Sequence, residues 1–264
     1  MQKLLIITTL LFGWQLAFAQ SENEILFPTH ELTLTIGLHQ SWLKDSNFSP
    51  LHYKGKGAIY GLEYRLSDKA NRGVFLAGLS FGTGTYSVDI SDALDTKFIL
   101  GDLSLGYLRR TSNLTMRSPN FALGGRYHFH INYLDWNEQD AFSFLGNHGF
   151  ELATAVDYPL NEKHRFQAQL SLPLLSYTVR PPYNGTDAEL TENNDNSPVK
   201  LLFDGYWSTF NRLLMYDLEL KYNYQLSDSF SLDFIYLNRY QNVTNLHKFV
   251  QMQNQFRVGT SFQF

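Results

Sequence analysis

The chain has 264 residues, a net charge of -4, no cysteine and 16% aromatic residues, most of them Phe and Tyr. The weak charge and the lack of a basic stripe exclude a nucleic-acid binder, and with no cysteine no disulfide can hold the fold. Lys3 precedes an apolar stretch from Leu4 to Leu16 that runs into Ala17-Phe18-Ala19, a small-x-small cleavage pattern. Residues 1–19 are therefore read as a signal peptide, because the stretch is shorter than the roughly 18–20 residues of a spanning helix. No Cys follows it to carry a lipid anchor. Residues 20–29 read as a short lead-in, too small to fill a lumen. Residues 30–264, without repeats, low-complexity tracts or linkers, form one domain.

That domain is striped at period two, the signature of strands with one apolar and one polar face. Leu32, Leu34, Ile36 and Leu38 alternate with Thr33, Thr35, Gly37 and His39. In the second segment Ala58, Tyr60, Leu62, Tyr64 and Leu66 oppose Glu63 and Arg65, and Ser67 to Gly73 supplies a turn. Phe75, Ala77, Leu79 and Phe81 form the third apolar face, and Leu103, Leu105 and Tyr107 the fourth, against Asp102 and Ser104. The fifth segment sets Phe121, Leu123, Tyr127, Phe129 and Ile131 against Arg126, His128, His130 and Asn132. A sixth runs from about Gly149 to Pro159. Leu160 to Lys163 then turns into a seventh, where Phe166, Ala168, Leu170 and Leu172 oppose Gln167, Gln169 and Ser171. Beyond Pro173 the alternation blurs.

A long connection, about Pro181 to Asn211, holds Pro-Pro-Tyr at 181–183, which stops a sheet and stiffens a loop base. It also holds an Asn- and Asp-rich stretch suited to solvated turns. The eighth segment sets Tyr216, Leu218, Leu220, Tyr222 and Tyr224 against Asp217, Glu219, Lys221 and Asn223, and the ninth carries Phe230, Leu232, Phe234 and Tyr236. In the tenth, Phe256, Val258, Thr260, Phe262 and Phe264 alternate with Gln255, Arg257, Gly259, Ser261 and Gln263.

A last strand that alternates and stops on an aromatic resembles the terminal strand of bacterial outer-membrane β-barrels. The resemblance is to the class, and it implies that Phe264 and Phe262 form the sorting signal read by the barrel assembly machinery. The expected fold is all-β: a transmembrane antiparallel up-and-down β-barrel of about ten strands, with outer-membrane lipid as its surroundings. Connections after the even-numbered segments are short or moderate and the odd-numbered ones longer. In such barrels the short turns are periplasmic, so both termini and the lead-in are expected in the periplasm. Trp42, Tyr107, Tyr133 and Trp136 fit the interfacial aromatic girdles.

Chemistry would have to lie in the lumen or the outer loops. The polar faces carry both signs, from Glu63 and Arg65 through Asp102, Arg126, Glu151, Asp217 and Arg239 to Arg257. Charges crowded into a small lumen are tolerated when they pair, so a filled, salt-bridged interior is expected rather than the open channel of a larger barrel. The sharpest local signal is His128-Phe129-His130, two imidazoles on one face about 6.6–6.8 Å apart along a strand. With Asp102 and Glu151 on flanking strands they are weak candidates for a metal site or an acid–base set. The plainer reading pairs them with those carboxylates as lumen fillers. No cofactor is implied.

The resemblance does not extend to two enzyme groups with barrel architecture. The catalytic segments of the ten-stranded omptin proteases have no counterpart here. At His128 the lipid-facing His-x-Ser strand of outer-membrane phospholipase A is not matched, because the residue two beyond His128 is His130. The expected role is a binding or structural scaffold for extracellular loops that meet a surface ligand or an envelope complex. The rivals are an enzyme acting on lipid or peptide at the outer rim and a small-solute channel.

Overall fold

A computed structural model describes residues 30–47, 49–68, 72–90, 95–111, 117–136, 141–180, 200, 203, 205–245 and 247–264. The expected signal peptide and lead-in, the Pro-Pro-Tyr segment and the Asn- and Asp-rich stretch lie outside the described residues, as does the side chain of Trp136. The strands are β1 (His30–Asp45), β2 (Tyr53–Ser67), β3 (Gly73–Ser87), β4 (Thr96–Arg110), β5 (Asn120–Trp136) and β6 (Ala141–Pro159). They continue with β7 (His164–Val179), β8 (Gly205–Ser208), β9 (Leu213–Ser227), β10 (Phe230–Val243) and β11 (Phe249–Gln263).

Each long strand pairs antiparallel with its neighbours, and the wall closes where β1 meets β11, from Glu31 opposite Gln263 to Asp45 opposite Phe249. The His30 and Phe264 backbones bond to each other at that seam, so the first and last strands end on the same side. In the terminus-side part closure leaves no open edge, which a wall in lipid requires, because no water is there to satisfy backbone groups. All ten expected segments are long strands of one transmembrane barrel.

The eleventh strand, β8, has four residues and was not legible as a segment. It extends the wall beside the far end of β7. The lower half of β7, His164 to Ser171, pairs with β9, while Ser176 to Val179 pair with β8. Between the two, the register slips against β6, and Glu151 faces Pro173 while Phe150 faces Leu175. Leu174 is the extra residue of a bulge, so Leu174 and Leu175 both turn outward. This slip is the blur seen beyond Pro173.

The expected contrast in loop length is only partly present, because the strands run further than their clear alternation. Only residues 137–140 separate β5 from β6, and 244–248 separate β10 from β11. Strands of 17 and 19 residues in β5 and β6 exceed the roughly 9–11 needed to cross a bilayer. The surplus lies at the end away from the termini, and there the two faces exchange character.

In the terminus-side part the outside is apolar, with Leu34, Ile36, Leu79, Phe150, Phe234 and Val258 exposed, while the interior is charged. Above it the outward positions include Gln40, Lys54, Lys56, Thr83, Thr85 and Lys97, all exposed. The interior positions there are Leu43, Tyr53, Tyr86, Phe98, Leu100, Leu134, Leu145, Leu213, Met215, Val243 and Phe249, packed as one buried cluster. Glycines make room for it, since a Cβ at Gly57 or Gly84 would lie 2.8 or 2.7 Å from the Phe98 ring. Above this layer Arg180 pairs with Asp45 and stands over the Phe249 ring. An apolar layer inside the barrel was not expected from the sequence.

Candidate functional site

Below the apolar layer the interior strands bring three carboxylates and three bases into a closed ring. Asp102 on β4 faces His130 on β5 across the ladder, and Glu151 on β6 faces Arg126. Period two then points all of them into the lumen. Arg126 Nε donates to Glu151 Oε2 at 2.7 Å and its Nη2 to Asp217 Oδ2 at 2.8 Å. Arg239 grips Asp217 with Nε at 2.8 Å and Nη2 at 2.9 Å, a bidentate pair, and reaches Asp102 Oδ1 with Nη1 at 2.5 Å. His128 completes the circuit, with Nε2 3.1 Å from Asp102 Oδ1 and Nδ1 3.1 Å from Glu151 Oε1. An imidazole with carboxylates at both nitrogens donates to both only as the cation. The ring alternates acid and base throughout.

The four residues singled out in the sequence, His128, His130, Asp102 and Glu151, are thus together, joined by Arg126, Asp217 and Arg239 from the same polar faces. His130 Nδ1 lies 2.8 Å from Asp102 Oδ1 and 2.8 Å from Arg239 Nη1. The cationic position between Asp102 and the two histidines is held by the Arg239 guanidinium. Among the described residues no three His, Asp or Glu side chains are gathered as a metal site. His128 is 2% exposed and His130 0%, so neither meets a substrate at the outer surface.

Nearer the termini, a second network fills the interior. Asp157 accepts from Arg165 Nη2 and Gln167 Nε2, each at 2.7 Å, and lies 3.3 and 3.4 Å from Arg65 and Arg110. Lys221 bridges Glu31 at 3.2 Å and Asp233 at 3.1 Å. Arg257 spans from Glu63 at 3.2 Å to Glu219 at 3.1 Å. The expectation of a salt-bridged interior is met. A cavity of about 150 Å³ remains between the two networks, bordered by Arg65, His128, Asp217, Leu237, Arg239 and Gln255.

One group of interior residues escaped the sequence reading. On β11, Gln251, Gln253 and Gln255 point inward beside Gln241 of β10 and His39 of β1, and all five are buried. Gln251 Nε2 bonds the Tyr86 hydroxyl at 2.7 Å. Gln251 Oε1, both amide atoms of Gln241, Gln253 and Gln255, and both nitrogens of His39 have no hydrogen-bond partner among the described residues. A buried polar group left dry costs about 1–3 kcal/mol, so this many together is a standing demand for a partner. The signal was present as Gln-x-Gln-x-Gln over 251–255, but a polar inner face is ordinary in a barrel, and only the missing partners mark it out.

No protein-family model matches the chain, and no curated protein matches it either. Among solved structures it is similar to the outer membrane protease OmpT from Escherichia coli, at 7% identity, TM-score 0.47, covering 92% of this chain and 100% of that one. It is also similar to the translocator domain of the autotransporter NalP from Neisseria meningitidis, at 10% identity and TM-score 0.45, covering 96% and 92%. The transport unit of the autotransporter AIDA-I from Escherichia coli matches at 11% identity and TM-score 0.42, covering 97% of each chain. These likenesses are too distant to carry a role across. The class, an outer-membrane type of β-barrel, stands on the closed ten-strand wall and its apolar band.

Proposed function

We propose that the protein is a non-conducting barrel of the bacterial outer membrane, with both termini in the periplasm, whose sealed wall holds the opposite rim and its loops as a binding or structural scaffold. The observation that carries this reading is the apolar layer around Phe98, Leu100 and Leu134, which fills the interior on the side away from the termini. A hydrated path would have to cross that layer. It would also have to pass Arg257, tied at once to Glu63 and Glu219. The orientation is supported by the surplus strand length, with its lysine-bearing exterior, at the end away from the termini. A surface ligand or an envelope partner would meet that rim. The catalytic reading of His128 and His130 is disfavoured by their burial beneath the layer.

Conductance in planar lipid bilayers tests the proposal, using the refolded protein and its His128→Ala and His130→Ala variants. All three are expected to stay silent across salts and voltages. Discrete steps whose size changes with either substitution would establish a pore lined by β5 and end the scaffold reading.

A further inference from the structure

We infer that the glutamine ladder of β10 and β11 and the adjoining cavity form a binding site for a small neutral polyol of about glycerol size. The argument rests on which hydrogen-bonding capacity the lumen has left over. Every charged side chain of the ring is matched to an opposite charge, from Arg126 with Glu151 and Asp217 to Arg239 with Asp102 and Asp217. A charged solute would have to break one of these pairs. Most of the unpartnered capacity here is neutral: both amide atoms of Gln241, Gln253 and Gln255 and both ring nitrogens of His39. Arg257 Nε is also without a partner among the described residues at the cavity, but its guanidinium is already paired with Glu63 and Glu219. A primary amide offers donor and acceptor side by side, and a neutral imidazole offers one of each. Groups that need both at once are answered by hydroxyls, which also donate and accept.

The register makes these groups one surface. His39 faces Gln255, Ser41 faces Gln253 and Leu43 faces Gln251 across the β1–β11 seam, while Gln255 faces Leu237 and Gln253 faces Arg239 on the other side. Of the ladder, Gln255 borders the cavity, together with Leu237 and Arg239, and His39 and Gln253 are its inward neighbours across the seam and along β11. Leu237 supplies an apolar surface for the carbon side of a polyol. A cavity of about 150 Å³ is the size that takes benzene, a molecule of about six heavy atoms, and glycerol has the same number. The apolar layer closes the other side, so a hydrophilic solute enters past the polar side chains of the terminus side. This inference shares the sealed interior with the scaffold reading but not its test, since a silent barrel binds polyol or does not.

The probe is glycerol, followed by proton saturation transfer from the full-length barrel in lipid nanodiscs, with empty nanodiscs as the control. Saturable transfer in the millimolar range is expected. Propane-1,2-diol and then propan-1-ol should bind progressively more weakly, several-fold to about tenfold per hydroxyl removed. This series uses the unaltered protein, so it does not depend on a variant folding. Gln253→Met and Gln255→Met, checked for folded mobility on gels, should each weaken glycerol binding at least as much as one lost hydroxyl. Absence of saturable transfer, equal binding along the alcohol series, or undiminished binding in both folded variants would each overturn the proposal. Long-lived protein–water contacts in place of glycerol transfer would make the ladder a hydration site and overturn it as well.

Discussion

The terminus-side part of the wall and the part beyond it are built from the same strands with opposite polarity. Near the termini, Leu34, Ile36 and Val258 face out, and Glu31, Asp157 and Lys221 face in. Further along, Lys54, Thr85 and Lys97 face out, and Leu43, Phe98 and Leu134 face in. The first region has lipid outside and must hide its polar groups inside. The second is organised like a water-soluble domain, with an apolar core and a polar shell. The exchange marks where the bilayer ends, and it means that one wall is stabilised by two different forces.

Substitutions on either side of that boundary should therefore behave differently. The largest loss is expected for Arg239→Leu, which leaves Asp102 and Asp217 buried without their shared cation and should cost about 3–5 kcal/mol. Urea unfolding of the barrel in lipid vesicles measures it, and a loss below 1 kcal/mol would mean that the ring is not what stabilises the terminus-side interior. Next is Leu134→Ala in the apolar layer, expected to cost about 2–5 kcal/mol as in a soluble core. A negligible loss in the same assay would show that this layer is not a packed core. The boundary itself is probed by one new residue at two heights. Ile36→Arg should cost about 2–4 kcal/mol, because it carries a charge into the lipid band. Thr85→Arg should stay within about 0.5 kcal/mol, as for an ordinary water-facing position. Equal costs at the two sites would refute the boundary.

The same inversion explains what could be seen in the sequence. In the terminus-side region lipid imposes one polarity on one face, so the stripe is clean and every long strand was legible there. Towards the other end the rule reverses within a strand. In β4, Phe98 and Leu100 lie on the same face as Asp102 and Ser104, and Ile99 lies opposite with Leu103. Apolar residues then occupy both faces in succession, alternation fades, and the segment looked as though it began at Asp102. β1 does the same where Leu43 follows Thr33 and His39 on the inner face.

The ring was half legible. His128 and His130 stood out as a spacing, and Asp102 and Glu151 as neighbours. Arg239 is 109 residues from His130, and only barrel closure brings its guanidinium between them. The bulge at Leu174 and the change of partner from β9 to β8 depend on register, which local pattern does not encode.

The seam between β1 and β11 sets the order in which the molecule can be made. The other long seams join strands nearer in sequence, but Thr33 meets Ser261 at a separation of 228 residues. Contacts so distant along the chain form late and slowly. Until they form, β1 presents a full row of unpaired backbone groups, the kind of edge that recruits other strands. Until the final strand arrives that edge stays open to pairing with other chains, so the slowest step of folding is also the one most exposed to aggregation.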